Sequence, residues 1–192
     1  DLSQPIHRPV MVTEVLRHLF EDTESPGFVV DGTVGLGGHA AAILEAATDV
    51  RLLGLDRDPE ALAFAARRLE PYGERVTLVH DSYANLAEVL GASRPTGILL
   101  DVGASSLQLD DPERGFSFSR GREGADMRFD RSSEEPTALE LVNTLSEKEL
   151  ARILHEYGDE PRARAVARKL IRERPFENGA QLAESIRSAA FR

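Results

Sequence analysis

Val29-Val30-Asp31-Gly32-Thr33-Val34-Gly35-Leu36-Gly37-Gly38-His39, followed after a helix-like run by Leu52-Leu53-Gly54-Leu55-Asp56, decides the fold class. An apolar strand ends in a carboxylate, a glycine-rich turn follows, and a second apolar strand ends in another carboxylate. Asp56 lies 19 residues after Gly37, close to the spacing at which an acid takes a ribose hydroxyl in nucleotide-binding α/β folds. Glycines let the turn adopt positive φ and let backbone approach a ligand where a Cβ would clash.

Outward from this stretch, strand and helix patterns alternate. Phe28–Asp31, Leu52–Asp56, Val76–His80 and Gly97–Val102 are short apolar runs with little polar alternation, as expected of strands covered on both faces. Helical patterns lie at 9–20, 38–47, 59–70 and 84–91. Asp58-Pro59 reads as an N-cap followed by proline at the first helical position. Such alternation predicts a parallel, doubly wound sheet. After Asp111 the texture changes. Residues 112–135 are rich in Gly, Arg, Ser and acids, and from Thr137 onward only helical patterns occur. Thr137-x-x-Glu140 and Ser146-x-x-Glu149 are capping boxes. Leu150, Ile153, Leu154 and Tyr157 share one predicted face, and Val166, Leu170 and Ile171 another. Residues 1–110 are therefore expected to form the first part of a Rossmann-like domain, and 111–192 a loop and an all-helical domain. The fourth strand is expected to leave an edge for a further strand, so distal strands are expected in chain beyond Arg192.

The 192 residues include no cysteine, which excludes disulfides, thiolate metal sites and a cysteine nucleophile. The five histidines (7, 18, 39, 80 and 155) show no metal-ligand spacing, and no metal is expected. No apolar run approaches the ~20 residues of a membrane span, so the expectation is a cytoplasmic protein with no membrane partner. A net charge of −10 disfavours bulk attraction to nucleic acid, where phosphate neutralisation dominates affinity. The run Arg162, Arg164, Arg168, Lys169, Arg172 and Arg174 is a local exception. It reads either as a solvated helix face or as a phosphate-contacting one.

Gly35-x-Gly37-x-x-Ala40 fits the dinucleotide fingerprint, which keeps an NAD-dependent oxidoreductase as an alternative. In dinucleotide folds the first glycine follows the apolar strand almost directly, whereas here Gly32, Thr33 and Val34 separate Asp31 from Gly35. Asp-x-x-x-Gly-x-Gly is instead the pattern of Rossmann-like S-adenosylmethionine-dependent methyltransferases. A cofactor without pyrophosphate has less use for a helix N-terminus, and Asp31 is placed to meet a cationic amino-acid end. His80-Asp81-Ser82-Tyr83 after the third strand offers polar groups and a ring for adenine. Asp101 ends the fourth strand at the crevice where open α/β sheets bind ligands.

A longer constellation is more specific. It comprises Gly97-Ile98-Leu99-Leu100-Asp101-Val102-Gly103-Ala104-Ser105-Ser106-Leu107-Gln108-Leu109-Asp110-Asp111-Pro112-Glu113-Arg114-Gly115-Phe116-Ser117-Phe118, with His7-x-Pro9-Val10, Asp31-Gly32-Thr33-x-Gly35-x-Gly37-Gly38-His39, Asp56-Arg57-Asp58-Pro59, Asp126-Met127-Arg128 and Tyr157-Gly158-Asp159-Glu160. Through nearly all of its length the chain resembles the bacterial 16S rRNA (cytosine-N4)-methyltransferase family, also called the MraW family. Leu107 stands where that family usually has proline, Ala125 where it usually has leucine, and Tyr83 where phenylalanine is common. Its later Ser-Phe-His-Ser-type motif is not in these residues.

The resemblance implies methyl transfer from S-adenosyl-L-methionine to the exocyclic N4 of a cytidine in the decoding centre of 16S rRNA, with the small ribosomal subunit as partner. It also implies a Rossmann-like methyltransferase sheet interrupted by the helical domain. Carried over position by position, cofactor contacts fall on Gly37, Gly38, His39, Asp56, Tyr83, Asp101 and Gln108. Asp56 would take the ribose hydroxyls, Tyr83 would line the adenine pocket, and Asp101 and Gln108 would border the methionine end and the target base. Asp101 is the candidate catalytic acceptor of a hydrogen bond from the cytosine amine; a pure cofactor-amine ligand is the other reading of it. Phe116 and Phe118 read as base-stacking rings or as packing between the two domains. Arg114, Arg120, Arg122, Arg128 and Arg131 read as RNA contacts or as partners of Glu113, Glu123, Asp126 and Asp130. A non-catalytic RNA-binding module is the remaining alternative.

Overall fold

A computed structural model describes residues 9–21, 27–116 and 125–190; His7, Phe118, Arg120, Arg122 and Glu123 lie outside them. The chain forms two compact units, Asp1–Ser105 and Ser106–Arg192.

The first unit is an α/β layer structure. Strands β1 (Phe28–Asp31), β2 (Arg51–Asp56), β3 (Val76–His80) and β4 (Gly97–Leu99) form one sheet in the order β3-β2-β1-β4. All pairings are parallel, with Val30 opposite Leu53 and Ile98. Helices α1 (Val12–Leu19), α2 (Gly38–Ala46), α3 (Pro59–Leu69) and α4 (Leu86–Leu90) connect or flank the strands. The two-residue period of a strand sends Val29 and Leu52 to one face and Val30 and Leu53 to the other. Val29 and Leu52 pack with Ile43, Leu44 and Leu69 from α2 and α3, and with Leu16 and Leu19 from α1. Val30, Leu53 and Leu55 pack with Val79, Leu86, Val89 and Leu90. Burial on both faces explains why these strands read as continuous apolar runs.

Local signals set the ends of the elements. The Asp58 carboxylate accepts from the Glu60 and Ala61 amides, at 3.0 and 3.4 Å, and Pro59 opens α3 as predicted. Arg75 donates to the carbonyls of Leu44 and Ala47 at the end of α2, which satisfies orphan acceptors there. The fourth strand pairs only to Leu99, not to Val102. The Gly32 amide takes the Leu99 carbonyl, and the Asp101 amide turns away to donate to Thr33 Oγ1 at 2.7 Å. That turn ends the ladder.

The second unit holds α5 (Ser106–Asp110), α6 (Ala138–Thr144), α7 (Glu147–Glu156), α8 (Ala163–Glu173) and α9 (Gly179–Ala190). Both predicted capping boxes form, with each N3 glutamate bonded back to the N-cap backbone. The core is Val166, Leu170 and Phe176, with Leu139, Val142, Leu154, Leu182 and Ile186 around it. The Asn143 side chain clasps the Phe176 backbone by donating to its carbonyl and accepting from its amide, at 2.8 and 2.9 Å. Tyr157 departs from its predicted face: it lies at the C-cap of α7 and is 77% exposed. Among the described residues no helix is long and apolar enough to cross a membrane.

Candidate functional site

β1 and β2 end in Asp31 and Asp56, and Asp101 lies two residues beyond the end of β4. They share an electrostatic neighbourhood, since both Asp56 and Asp101 disfavour the charged form of Asp31. Asp31 is 1% exposed. Its Oδ1 accepts from the Thr33 amide at 3.2 Å, while Oδ2 has no hydrogen-bond partner. Burial is the first cause of a carboxyl pushed up to about 7, partly opposed by the Thr33 amide and reinforced by the two neighbouring acids. An orphaned, buried carboxylate oxygen among like charges is costly. A cation would relieve it.

Asp56 is differently employed. Oδ2 accepts from the Gly35 amide at 2.8 Å and Oδ1 from the Asp58 amide at 2.9 Å. The carboxylate therefore ties the glycine-rich turn to the start of α3. Burial raises its pKa, and the Asp58 and Gly35 amides oppose the rise. The Arg57 amide also bonds to this carboxylate, which leaves acceptor capacity for one further donor.

The turn between β1 and α2 is built on backbone freedom. Gly37 is the α2 N-cap at φ 76°, and a side chain there would also press on Leu69 at 3.3 Å. Gly38 meets the Pro9 ring, which would lie 3.0 Å from any Cβ added at that position. His39 follows in the first turn of α2. Its Nε2 lies 2.8 Å from the Val10 carbonyl and its Nδ1 3.8 Å from Asp101 Oδ2. The imidazole is 8% exposed and the Asp101 side chain 51%. Tyr83 starts the short helical turn after β3, capped by Ser82. It is partly exposed, and its Cβ sits 3.2 Å from where a side chain on Gly32 would begin. Gly37, Gly38, His39, Asp56, Tyr83 and Asp101 thus belong to the strand tips, the loops after them and the first turn of α2, all in the first unit. Gln108 is in the second unit, buried within α5.

Three contributors stand in the motifs quoted above but carried no assigned role there. Thr33 holds the Asp31 carboxylate with its amide and the Asp101 amide with its hydroxyl. Pro9 and Val10 contact Gly38 and His39. The polar Thr33 in the glycine-rich turn was the available signal for the first; the others depend on a contact spanning 29 residues.

The arginine-rich segment resolves toward internal pairing where it is described. Arg114 is buried, with Nη1 donating to the Phe129 carbonyl. Arg128 forks onto Asp126 at 2.7 and 2.8 Å and donates to the Ser133 and Glu135 carbonyls. Arg131 lies 3.6 Å from Glu113. Phe116 packs against Phe129, centroids 5.5 Å apart, inside the second unit. A cleft of about 510 Å³ in the second unit is lined by Phe176, Gln181, Glu184 and Ser185 among others; none of the predicted site residues reaches it. Among the described residues no cluster of three or more acidic or histidine side chains is arranged for a metal.

Residues 4–191 match the model of the MraW methylase family. The chain is 49% identical over 193 residues to the ribosomal RNA small subunit methyltransferase H of Geotalea uraniireducens, covering 97% of this chain and 61% of that protein. It is 44% identical over 192 residues to the protein of the same name from Thermobifida fusca, covering 96% and 58%. The Frankia alni protein of that name is 46% identical, with 96% and 58% covered. The chain spans about three fifths of the length of these relatives. With its parallel sheet and glycine-rich first turn, the chain belongs to the MraW methylase family.

Proposed function

We propose that this chain carries the cofactor-binding part of an S-adenosyl-L-methionine-dependent methyltransferase that modifies the exocyclic N4 of a cytidine in 16S rRNA, in the decoding centre of the small ribosomal subunit. The observation that carries the reading is the unneutralised acid cluster at the strand tips, with the Asp31 oxygen lacking a partner. The relatives' shared name supports the rRNA substrate. The residues fit the cofactor: Asp31 answers a cationic amino-acid end, Asp56 retains acceptor capacity for ribose hydroxyls, and Tyr83 offers a ring to adenine. Gly37, Gly38 and His39 form the N-cap and first turn of α2 beside them. Gln108 is assigned to the methionine end and target base on the family resemblance alone. A pyrophosphate at the same tips would meet like charge, which weighs against the nicotinamide reading.

When bound, S-adenosylmethionine supplies a methyl group activated by sulfonium charge. The cytosine amine is a weak nucleophile because its lone pair is delocalised into the ring. The half-exposed Asp101 accepts a hydrogen bond from that amine, which localises the lone pair toward the methyl group. The base reaches the site only after leaving its stack. The helical unit is read as an insertion into the methyltransferase domain, and the cytoplasm as the compartment the substrate requires. An acidic chain acting on RNA relies on a shaped ribosomal surface more than on bulk attraction.

Methyl incorporation by the intact protein into small ribosomal subunits, naked 16S rRNA and tRNA, followed by nucleoside mass spectrometry, tests the reading. N4-methylated cytidine in 16S rRNA supports it. Another nucleoside, or no incorporation into any substrate, overturns it in favour of a different acceptor or a binding module.

A further inference from the structure

We propose that His39 is a positioning residue for Asp101, set in place by the Pro9–Val10 segment. The proposal rests on the reading that Asp101 meets the substrate amine. The Val10 carbonyl can only accept, so the 2.8 Å contact commits the His39 Nε2 to carrying a proton. The other ring nitrogen then faces the Asp101 carboxylate at 3.8 Å. Two bare acceptors cannot hold each other. At 3.8 Å the two groups are in electrostatic reach but not hydrogen-bonded; closing that gap through Oδ2 would leave the other carboxylate oxygen for the substrate.

Three more observations make this a device for orientation. The imidazole is nearly buried while the Asp101 side chain is half exposed, so a rigid group steers a freer one. Pro9 packs on Gly38 immediately before the ring, so the segment that anchors His39 also presses on the loop that carries it. The Asp101 backbone is held from the other side by the Thr33 hydroxyl. Backbone and carboxylate of the same residue thereby face separate elements, the turn after β1 and the start of α2. Catalytic hydrogen bonds are often long in unliganded sites and tighten with substrate, and a 3.8 Å pair has that room.

Two substitutions in the intact protein separate positioning from scaffolding. His39→Gln places an amide where Nε2 was, keeping the Val10 bond and losing the group that faces Asp101. His39→Asn does the reverse. Positioning predicts that His39→Gln lowers kcat about 10- to 100-fold, and that His39→Asn retains more of kcat. It also predicts that His39→Gln adds little to Asp101→Asn. Full turnover by His39→Gln, or multiplicative losses in the double variant, overturns the proposal. If the unsubstituted protein transfers no methyl group, the functional reading fails by itself. The ¹⁵N resonance of His39 Nδ1 then decides the positioning claim: a shift on Asp101→Asn supports it, and an unmoved resonance overturns it.

Discussion

Asp31 and Asp126 both stand in motifs that mark the family, and the fold treats them in opposite ways. Asp126 is gripped by the Arg128 guanidinium through two short bonds, and that partner holds its carboxyl below the usual range. Asp31 is buried with one oxygen unpartnered, and burial lifts it to about 7. Asp126 works inside the fold, where its own carbonyl also receives the Ala138 amide as the chain enters α6. Asp31 costs the free protein stability. A fold keeps such a group when something outside the chain completes it. The comparison separates acids kept for a ligand from acids used as scaffold, although both are equally prominent in sequence.

The strongest way to break the comparison is to neutralise Asp31. Asp31→Asn removes a charged partner of the cofactor, and affinity for S-adenosylmethionine should fall roughly 10- to 100-fold by calorimetry. The same change should stabilise the free protein at neutral and higher pH, by on the order of a few kcal/mol. Unchanged affinity, or lost stability, contradicts the assignment. Asp56→Ala should weaken the cofactor by about 1–3 kcal/mol if the ribose is lost. It should also lower the melting midpoint, because the Gly35 and Asp58 amides lose their acceptor.

Asp126→Ala should behave as the opposite of Asp31→Asn. The melting midpoint should fall by about 4–8 °C while cofactor affinity stays constant. The pH dependences differ in sign as well. The Asp126 contribution is present at neutral pH and lost as acid protonates it below the ordinary carboxylate range. The Asp31 contribution is full below about pH 4 and lost as pH rises through about 7. Denaturant titrations of the two variants against pH read both. The smallest effect is the cap: Thr137→Ala should cost about 1 kcal/mol, read by the same titrations.

What the sequence made legible was local. The bounds of β1 and β3 follow from apolar runs ending in polar residues, and Asp58-Pro59 and the two capping boxes are signals complete within four residues. The clustering of acids at the strand tips was legible because a parallel sheet aligns its C-terminal ends. The occupation of Asp56 was not, since its Gly35 contact spans 21 residues and competes with the ligand role the spacing suggests. The end of β4 was misread because Leu100 and Val102 continue an apolar pattern, while the Asp101 amide prefers Thr33. The same apolar side chains are exposed.

Calorimetric titration of the intact protein with S-adenosylmethionine from pH 5 to 8, in buffers of differing ionisation enthalpy, tests the central claim most directly. A cation beside Asp31 requires the carboxylate. Binding should therefore release a proton below about pH 7, and affinity should weaken by up to tenfold per unit as pH falls, with the dependence gone in Asp31→Asn. Affinity independent of pH, with no proton released, would contradict the account.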